Sequence, residues 1–220
     1  MTDIIQHLKT HLKNDIFLPV DNNIYRFIET DVKENNEAPL EEIILSELQA
    51  PASFCLLNPQ RLLKINDFLF QSNFYKRDCD FILVDLKNNS LNIYLVECKS
   101  TILAVSKDKN TGKYKTKKED ALEQIKHSCY PVEYILKLLN EHYNEEIPFD
   151  FKGLIFYTQL KKRLGKSAET SGLRLPSKEE KDFDAQDHNK DGKFPVYSKK
   201  VSGSHTIHTF DDFLSYFKTA

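Results

Sequence analysis

Hydrophobic residues follow helical spacing in some segments of the chain and alternate with polar residues in others. Near the start, the apolar positions in residues 4–12 fall on one helix face, and Thr2 can cap that helix. A second helix is predicted from residue 39 to about residue 49. Asn58-Pro59 then supplies the cap and first-turn proline typical of another helix start. The first part of the chain is therefore predicted to contain three helices, with an exposed acidic loop over 31–37 between the first and the second.

The middle of the chain changes to a strand pattern and then returns to a helical one. Residues 80–85 and 91–96 are short apolar runs joined by a polar turn, which predicts a β-hairpin. Residues 119 to about 140 have helical periodicity, although Pro131 is expected to kink or restart the helix. Residues 152–158 form another buried apolar run. This order of helix, strands, helix and strand predicts an α/β fold.

The last part of the chain is polar and rich in turn-forming residues. Residues 160–205 receive no assignment, whereas residues 209–212 form a capping-box pattern before a short apolar helix that is expected to dock on the core. We therefore predict an N-terminal helical appendage over 1–38, a core over 39–160, and a loop-rich extension over 161–220 that ends in the docking helix.

Composition narrows the class of protein. The chain has 220 residues, of which 40% are hydrophobic and 29% charged, a balance that excludes general disorder and a membrane protein. The first residues lack the pattern of a secretory signal, and the four cysteines stand far apart, so reduced thiols and a cytoplasmic location are expected. The formal net charge is −2, so any contact with nucleic acid must come from local basic patches.

Candidate chemistry is concentrated on the predicted hairpin. Asp80 lies at the start of the first strand. On the second strand Glu97 and Lys99 share one face, whereas Cys98 points to the other. Two carboxylates and a backbone carbonyl are ligands that Mg²⁺ or Mn²⁺ prefers, and a lysine beside them can stabilise charge on a phosphate. The pattern suits phosphodiester hydrolysis; Asp78 has the same strand parity as Asp80 and is an alternative to it.

A structural interpretation of the same residues competes with this one. Glu97 and Lys99 could form an exposed ion pair at a strand end, with Asp80 as a turn cap, and such a pair adds little stability. An acid followed later by acid-x-lysine also arises by chance in lysine-rich proteins, so structural context must decide. Asp85 has the opposite strand parity and is expected to face away from the site.

The hairpin motif resembles a known enzyme family. Asp80 followed by Glu97-Cys98-Lys99 is similar to the signature of the PD-(D/E)XK nuclease superfamily, although Cys79 stands where the proline of the name is expected. The resemblance covers roughly half of the chain. It implies a restriction-endonuclease-like α/β core of order α-β-β-β-α-β, a mixed sheet flanked by helices, with N-terminal helical and C-terminal additions. It also implies that Asp80, Glu97 and the Cys98 carbonyl bind the metal and that Lys99 is the catalytic lysine.

The resemblance implies further site residues on the two helices. The superfamily often adds a glutamate from the helix before the sheet, for which Glu47 is the first choice, with Glu42 and Glu41 behind it. One branch of the superfamily also places a glutamine and a tyrosine on the following helix. Gln124 and Tyr130 have similar roles here, although their spacing of six differs from the usual four.

Basic residues crowd the two segments next to the predicted site. One is the polar loop over 101–118 and the other follows the last core strand, where cations could hold phosphates. The competing interpretation is a solvated surface run. The expected nucleic-acid contacts are Lys113, Lys115, Lys117, Lys118, Lys161, Lys162 and Arg163.

These observations predict one function and leave two alternatives open. The chain is expected to be a Mg²⁺- or Mn²⁺-dependent endonuclease, with DNA preferred over RNA as substrate. A looser resemblance of residues 58–59, 77–81, 96–99 and 123–125 to the nuclease domain of Shedu-type antiphage proteins suggests restriction or antiviral defence. A homodimer would suit an enzyme that cuts both strands. The alternatives are a catalytically inactive nucleic-acid-binding or assembly module of the same fold, and an RNA nuclease.

Overall fold

The computed structural model describes the parts of the chain that carry the predicted hairpin and the long helix. The described residues are 4–18, 24–28, 42–45, 54–62, 78–107, 112, 114–159, 183–184, 186–190, 192–201 and 203–217. In chain order the elements are α1 (Ile4–His11), a 3-10 turn (Asn14–Ile16), β1 (Tyr25–Ile28), β2 (Glu42–Leu45), β3 (Phe54–Leu57), α2 (Pro59–Leu62), β4 (Phe81–Lys87), β5 (Ser90–Thr101), β6 (Val105–Lys107), β7 (Tyr114–Thr116), α3 (Lys117–Tyr143), β8 (Phe149–Gln159), β9 (Val196–Lys200), β10 (Ser204–Ile207) and α4 (Phe210–Ser215).

A five-stranded mixed sheet lies at the centre, with strand order β3-β4-β5-β8-β9. Strands β3, β4 and β5 pair antiparallel, whereas β5, β8 and β9 run parallel. Asn88 and Asn89 connect β4 to β5 with φ angles of 52° and 64°, the left-handed conformation that two-residue hairpin turns need and that asparagine tolerates. The predicted hairpin and the predicted strand over 152–158 are confirmed.

Both faces of this sheet are covered, which explains why its strands are almost continuously apolar. Helices α1 and α3 pack against one face, where Ile5 and Ile125 lie in the same hydrophobic cluster as Ile82 and Leu95. A three-stranded sheet of order β1-β2-β10 and helix α4 cover the other face. The predicted α/β class, with mixed sheets flanked by helices, is confirmed.

Residues from all three predicted segments contribute to these layers. Helix α1 comes from the segment over 1–38, and β9, β10 and α4 come from the segment over 161–220. The division of the chain at these boundaries stays a prediction. None of the described helices is long and apolar enough to cross a membrane.

The helix predicted over 39–49 is wrong. Residues 42–45 form strand β2, which pairs antiparallel with β1 and parallel with β10. Burial alternates along it, with Ile43 and Leu45 inside, as the period of a strand requires. Two consecutive isoleucines favour a strand, and partners from distant parts of the chain override the helix-forming glutamates around them.

Helix α3 confirms the helix predicted over 119–140 and extends it at both ends. It begins with a capping box in which Thr116 and Glu119 exchange hydrogen bonds between side chain and backbone. The helix continues through Pro131 as one element, so of the two predicted effects the restart is wrong and the kink stays a prediction. The buried residues Val132 and Leu136 follow the proline, and their packing offsets the missing backbone hydrogen bond.

Three other parts of the chain can be compared with the elements predicted from the sequence. The polar loop predicted over 101–118 contains a small antiparallel hairpin of β6 and β7. The helix start predicted at Asn58-Pro59 is confirmed in α2, and the closing helix is confirmed in α4, with a capping box between Thr209 and Asp212. Strand β9 lies in residues 160–205, for which the sequence pattern predicted no element. An edge strand that pairs in parallel is not joined to its neighbour by a short turn, so the sequence contains no turn signal beside it.

Candidate functional site

The site lies where β4 begins, beside the last residues of β5. The register pairs Phe81 with Val96, so Asp80 is the cross-strand neighbour of Glu97 on the side of the sheet that faces α3. The Asp80 backbone N–H donates to the Val96 carbonyl at 2.9 Å, and its carboxylate Oδ2 accepts from the Cys98 backbone N–H at 2.6 Å. The Asp80 side chain is therefore held against the neighbouring strand by backbone contacts.

Glu97 and Lys99 form an ion pair inside the protein. Glu97 is 1% exposed, and the Lys99 side chain is 17% exposed. Lys99 Nζ donates to Glu97 Oε1 and also to Gln124 Oε1, the latter at 2.8 Å. The second carboxylate oxygen, Glu97 Oε2, is buried without a hydrogen-bond partner. An unsatisfied buried oxygen of this kind is unfavourable for folding and needs an explanation.

The charges of these groups depend on one another. Burial raises the pKa of the Glu97 carboxyl well above its usual value and Asp80 raises it further, while Lys99 acts in the opposite direction. Burial by itself would lower the pKa of Lys99. The Glu97 carboxylate, with smaller contributions from Asp80 and Asp120, outweighs burial and raises that pKa instead. Lys99 is thus held in its charged form.

Helix α3 fixes both the lysine and the start of β4. Gln124 accepts from Lys99 through Oε1 and donates through Nε2 to the Asp78 carbonyl at 2.9 Å. One turn later, Ser128 Oγ accepts from the Cys79 backbone N–H at 2.8 Å. These two contacts hold the residues directly before Asp80.

Two residues near the site were missed by the sequence analysis. Ser128 stands four positions after Gln124, which is the spacing at which the superfamily branch has its tyrosine. Tyr130, the residue predicted for the tyrosine position, is 52% exposed. Asp120 stands four positions before Gln124 and interacts electrostatically with both Glu97 and Lys99. The helical period counted in both directions from Gln124 could have found both residues.

The alternative carboxylates lie in different places. The Asp78 side chain is half-buried, and burial raises its pKa. Asp85 lies on the opposite face of the sheet beside Tyr94, as its strand parity predicts. Glu42 belongs to β2 in the three-stranded sheet and pairs with Arg26 at 3.6 Å. Residues 42–45 form a strand, so they do not belong to the helix that was expected to carry Glu42 to the site.

Several predicted site residues lie outside the described residues. Glu47 and Glu41 are in this group, so the proposed ligand from the helix before the sheet stays a prediction. Four of the predicted phosphate contacts also lie outside the described residues: Lys113, Lys161, Lys162 and Arg163.

The described basic residues lie at the start of α3. Lys115 Nζ forms an ion pair with Glu123 at 2.6 Å, so an internal carboxylate already neutralises its charge. Lys117 and Lys118 occupy the first helical turn, where their backbone N–H groups donate to carbonyls after β5. Burial and the nearby Lys118 charge lower the pKa of His188 to about 4. These lysines lie close to the strand end that carries Lys99.

The described residues contain no group of three or more His, Cys, Asp or Glu side chains placed to hold a metal ion. All four cysteines are buried and free of disulfides. No protein-family model, curated protein or solved structure matches this chain.

Proposed function

We propose that this protein is a metal-dependent nuclease that hydrolyses phosphodiester bonds, with DNA as the expected substrate. The observation that carries the proposal is the position of Asp80 beside the buried Glu97–Lys99 pair, at the adjoining ends of two neighbouring strands. Metal-assisted attack on a phosphate requires carboxylates that bind the ion and a positive charge near the phosphate. Asp80, Glu97 and the charged Lys99 supply these groups at one point.

Burial of the pair argues against a purely structural role. An exposed strand-end pair would be inexpensive and would need no function. Here Glu97 is 1% exposed and keeps one oxygen without a partner. Replacing such a buried pair by apolar residues is often neutral or stabilising, so its presence favours a functional role.

The order of elements supports the same proposal. Helix α1, strands β3, β4 and β5, helix α3 and strand β8 follow the order α-β-β-β-α-β expected for a restriction-endonuclease-like core. Strand β8 pairs parallel with β5, while β3 and β4 pair antiparallel. In this proposal α1 takes the place that the sequence analysis gave to residues 39–49.

The donor set fits a hard divalent ion. Asp80 and Glu97 would hold Mg²⁺ or Mn²⁺, with the Cys98 carbonyl as the backbone ligand that the family resemblance suggests. Glu97 Oε2 supplies a buried acceptor without a hydrogen-bond partner. Mg²⁺ usually binds through only one or two carboxylates and keeps several waters, so three protein carboxylates are not required. Once bound, the ion would polarise the phosphoryl oxygen and lower the pKa of a bound water.

The chain's own residues have distinct tasks in this proposal. Lys99 is held by Glu97 and Gln124 in its charged form, and its ammonium group stabilises negative charge on the scissile phosphate. Gln124 positions Lys99 relative to the start of β4, because its amide also bonds the Asp78 carbonyl. Lys117 and Lys118 can attract the phosphate backbone electrostatically. The resemblance to Shedu-type proteins extends the proposal to a defence role. The proposal also includes a cytoplasmic location, and a homodimer because it would suit cuts in both strands.

A cleavage assay tests the proposal directly. Plasmid, linear DNA and RNA are incubated with the protein in Mg²⁺, Mn²⁺ or EDTA, beside the variants Lys99→Met and Asp80→Asn. We expect cleavage that needs the metal and falls about 100-fold or more in both variants. Lys137→Met and Asp150→Asn make the same changes at exposed positions and should keep full activity. Cleavage that persists in the two site variants would contradict the proposal.

A second candidate is a nucleic-acid-binding module of the same fold without hydrolytic activity. Lys117 and Lys118 in the first turn of α3 favour this candidate, because they could attract a phosphate backbone without any metal ion. It predicts that DNA or RNA is bound with equal affinity in EDTA and Mg²⁺ and is not cleaved. Cleavage of RNA alone would instead identify an RNA nuclease that uses the same residues.

A further inference from the structure

The outer face of α3 carries a row of exposed apolar side chains, here called the tyrosine stripe. It consists of Tyr130, Tyr134 and Leu138, which are 52%, 58% and 45% exposed. Because they stand four positions apart, they are neighbours on the helix surface. Among the described residues, three of the five large hydrophobic side chains that are exposed belong to this stripe. Apolar side chains exposed singly need no explanation, whereas a contiguous row of them is typical of an interaction surface.

The stripe is separate from the core and from the candidate site. The core-facing side of α3 carries Ile125, Val132 and Leu136, which are buried in the hydrophobic cluster beneath the helix. The contacts of α3 with the candidate site come from Gln124 and Ser128, at earlier turns than the stripe. The stripe therefore has no task in the fold or in the proposed chemistry.

Opposite charges stand at the two ends of the stripe. Lys126 lies about 12 Å before Tyr134 along the helix axis and Glu141 about 10 Å after it, and both are exposed. Lys137 already pairs with Glu133 on the same helix. In the part of the chain that the structure describes, Lys126 and Glu141 form no ion pair. The stripe thus has a positive end and a negative end at similar distances from its centre.

This pattern is self-complementary when a second copy packs in the opposite direction. A two-fold axis at Tyr134 would place Tyr130 against the partner's Leu138, and each such contact would occur twice. The same axis would place Lys126 beside the partner's Glu141. A parallel pair would instead bring like charges together at both ends, which is unfavourable. The charges therefore favour a second copy of this chain in the antiparallel orientation.

We propose that two copies of this chain associate through the tyrosine stripe, with their α3 helices antiparallel. Tyrosine is enriched at the centres of protein interfaces, where a few residues carry most of the binding energy. The two tyrosines expose roughly 200 Å² between them, against about 800 Å² per partner in a standard interface. The dimer is therefore weak, with a Kd of about 10 µM or higher.

The purpose of the dimer rests on the proposed function, because the stripe supplies the surface for the homodimer that would cut both strands. The association itself needs neither metal nor nucleic acid. It can therefore be measured on the full chain in EDTA, without an activity assay.

Sedimentation equilibrium from about 1 to about 300 µM protein tests the association. The unaltered protein should pass from monomer to dimer over this range. Tyr134→Ala removes the ring at the axis from both subunits and should raise the Kd at least about 10-fold. Tyr114→Ala is the matched control, because Tyr114 is a tyrosine on β7 that is 74% exposed and lies outside the stripe. Its Kd should equal that of the unaltered protein.

An exchange of charges tests the antiparallel orientation. Lys126→Glu places two carboxylates together at both ends of the pair, and Glu141→Lys places two ammonium groups together. Each single variant should raise the Kd about 3- to 30-fold, because two exposed ion pairs are lost at once. The double variant restores opposite charges and should return the Kd to within about 2-fold of the original value. Single variants that match the unaltered protein would overturn the antiparallel arrangement.

The remaining outcomes separate the inference from the proposed function. All the substitutions are at exposed positions, and circular dichroism checks that each variant is folded. A monomer at every concentration, or an unchanged Kd in Tyr134→Ala, would overturn the inference, and metal-dependent cleavage by that protein would leave the proposed function standing. A dimer that Tyr134→Ala weakens supports the inference even where neither DNA nor RNA is cleaved.

Discussion

Replacing Lys99 by methionine removes the only positive charge that the structure pairs directly with Glu97 among the described residues. Methionine keeps most of the apolar length of the lysine side chain but donates no hydrogen bond. Two acceptors, Glu97 Oε1 and Gln124 Oε1, then lose their donor inside the protein. We expect the stability of the folded state to fall sharply, even though the substitution makes the chain more hydrophobic.

The size of the effect follows from the burial of the pair. Removing one member of a buried ion pair typically costs about 3–5 kcal/mol, because the remaining charge is left uncompensated. With Glu97 1% exposed and the Lys99 side chain 17% exposed, this case applies here. The Lys137–Glu133 pair on α3 provides a matched control, since the Lys137 side chain is 64% exposed. Lys137→Met should cost no more than about 0.5 kcal/mol.

Protonation of Glu97 makes the loss of stability in Lys99→Met depend on pH. Burial and Asp80 raise the pKa of this carboxyl in the folded state, and without Lys99 nothing in the pair lowers it. A folded state that binds a proton more tightly than the unfolded chain loses stability as the pH rises towards the folded pKa. Lys99→Met should therefore be less destabilising at about pH 5 than at about pH 8.

Urea unfolding in EDTA measures these free energies, and Glu97→Gln completes a double-mutant cycle. The coupling between the two positions should be about 1–3 kcal/mol, so the double variant should be more stable than the sum of the single effects predicts. A loss in Lys99→Met no larger than that in Lys137→Met, together with additive effects in the cycle, would refute the argument that the pair is buried and coupled.

Three further changes test the scaffold that positions the site. Gly153→Ala would bring a methyl group to 2.7 Å from Val196 Cγ2, and this overpacking should cost about 1–3 kcal/mol in urea unfolding, with partial recovery by Val196→Ala. Thr116→Ala breaks the capping box with Glu119 and should cost about 1 kcal/mol; unchanged amide exchange in the first turn of α3 would contradict this. Asn89 has a φ of 64°, so Asn89→Gly should keep or raise the thermal midpoint, whereas Asn89→Val should lose about 1–2 kcal/mol.

The sequence by itself determined the elements whose signals are local. The alternation of residues along β5 placed Glu97 and Lys99 on one face, and the asparagine turn set the hairpin that brings Asp80 beside them. The period of α3 was also readable over residues 119–140. Each of these features depends on residues within a few positions of one another, where backbone geometry allows few alternatives.

Only the tertiary structure decided the features that depend on distant partners. Residues 42–45 became a strand because β1 and β10 pair with them on either side. Burial of the Glu97–Lys99 pair and its contact with Gln124 required α3 to pack across the sheet. The selection of Asp120 and Ser128 as neighbours of the site needed the same packing. A residue pattern specifies which face of an element is apolar, but the partner that covers that face is chosen by the competition among all contacts of the folded chain.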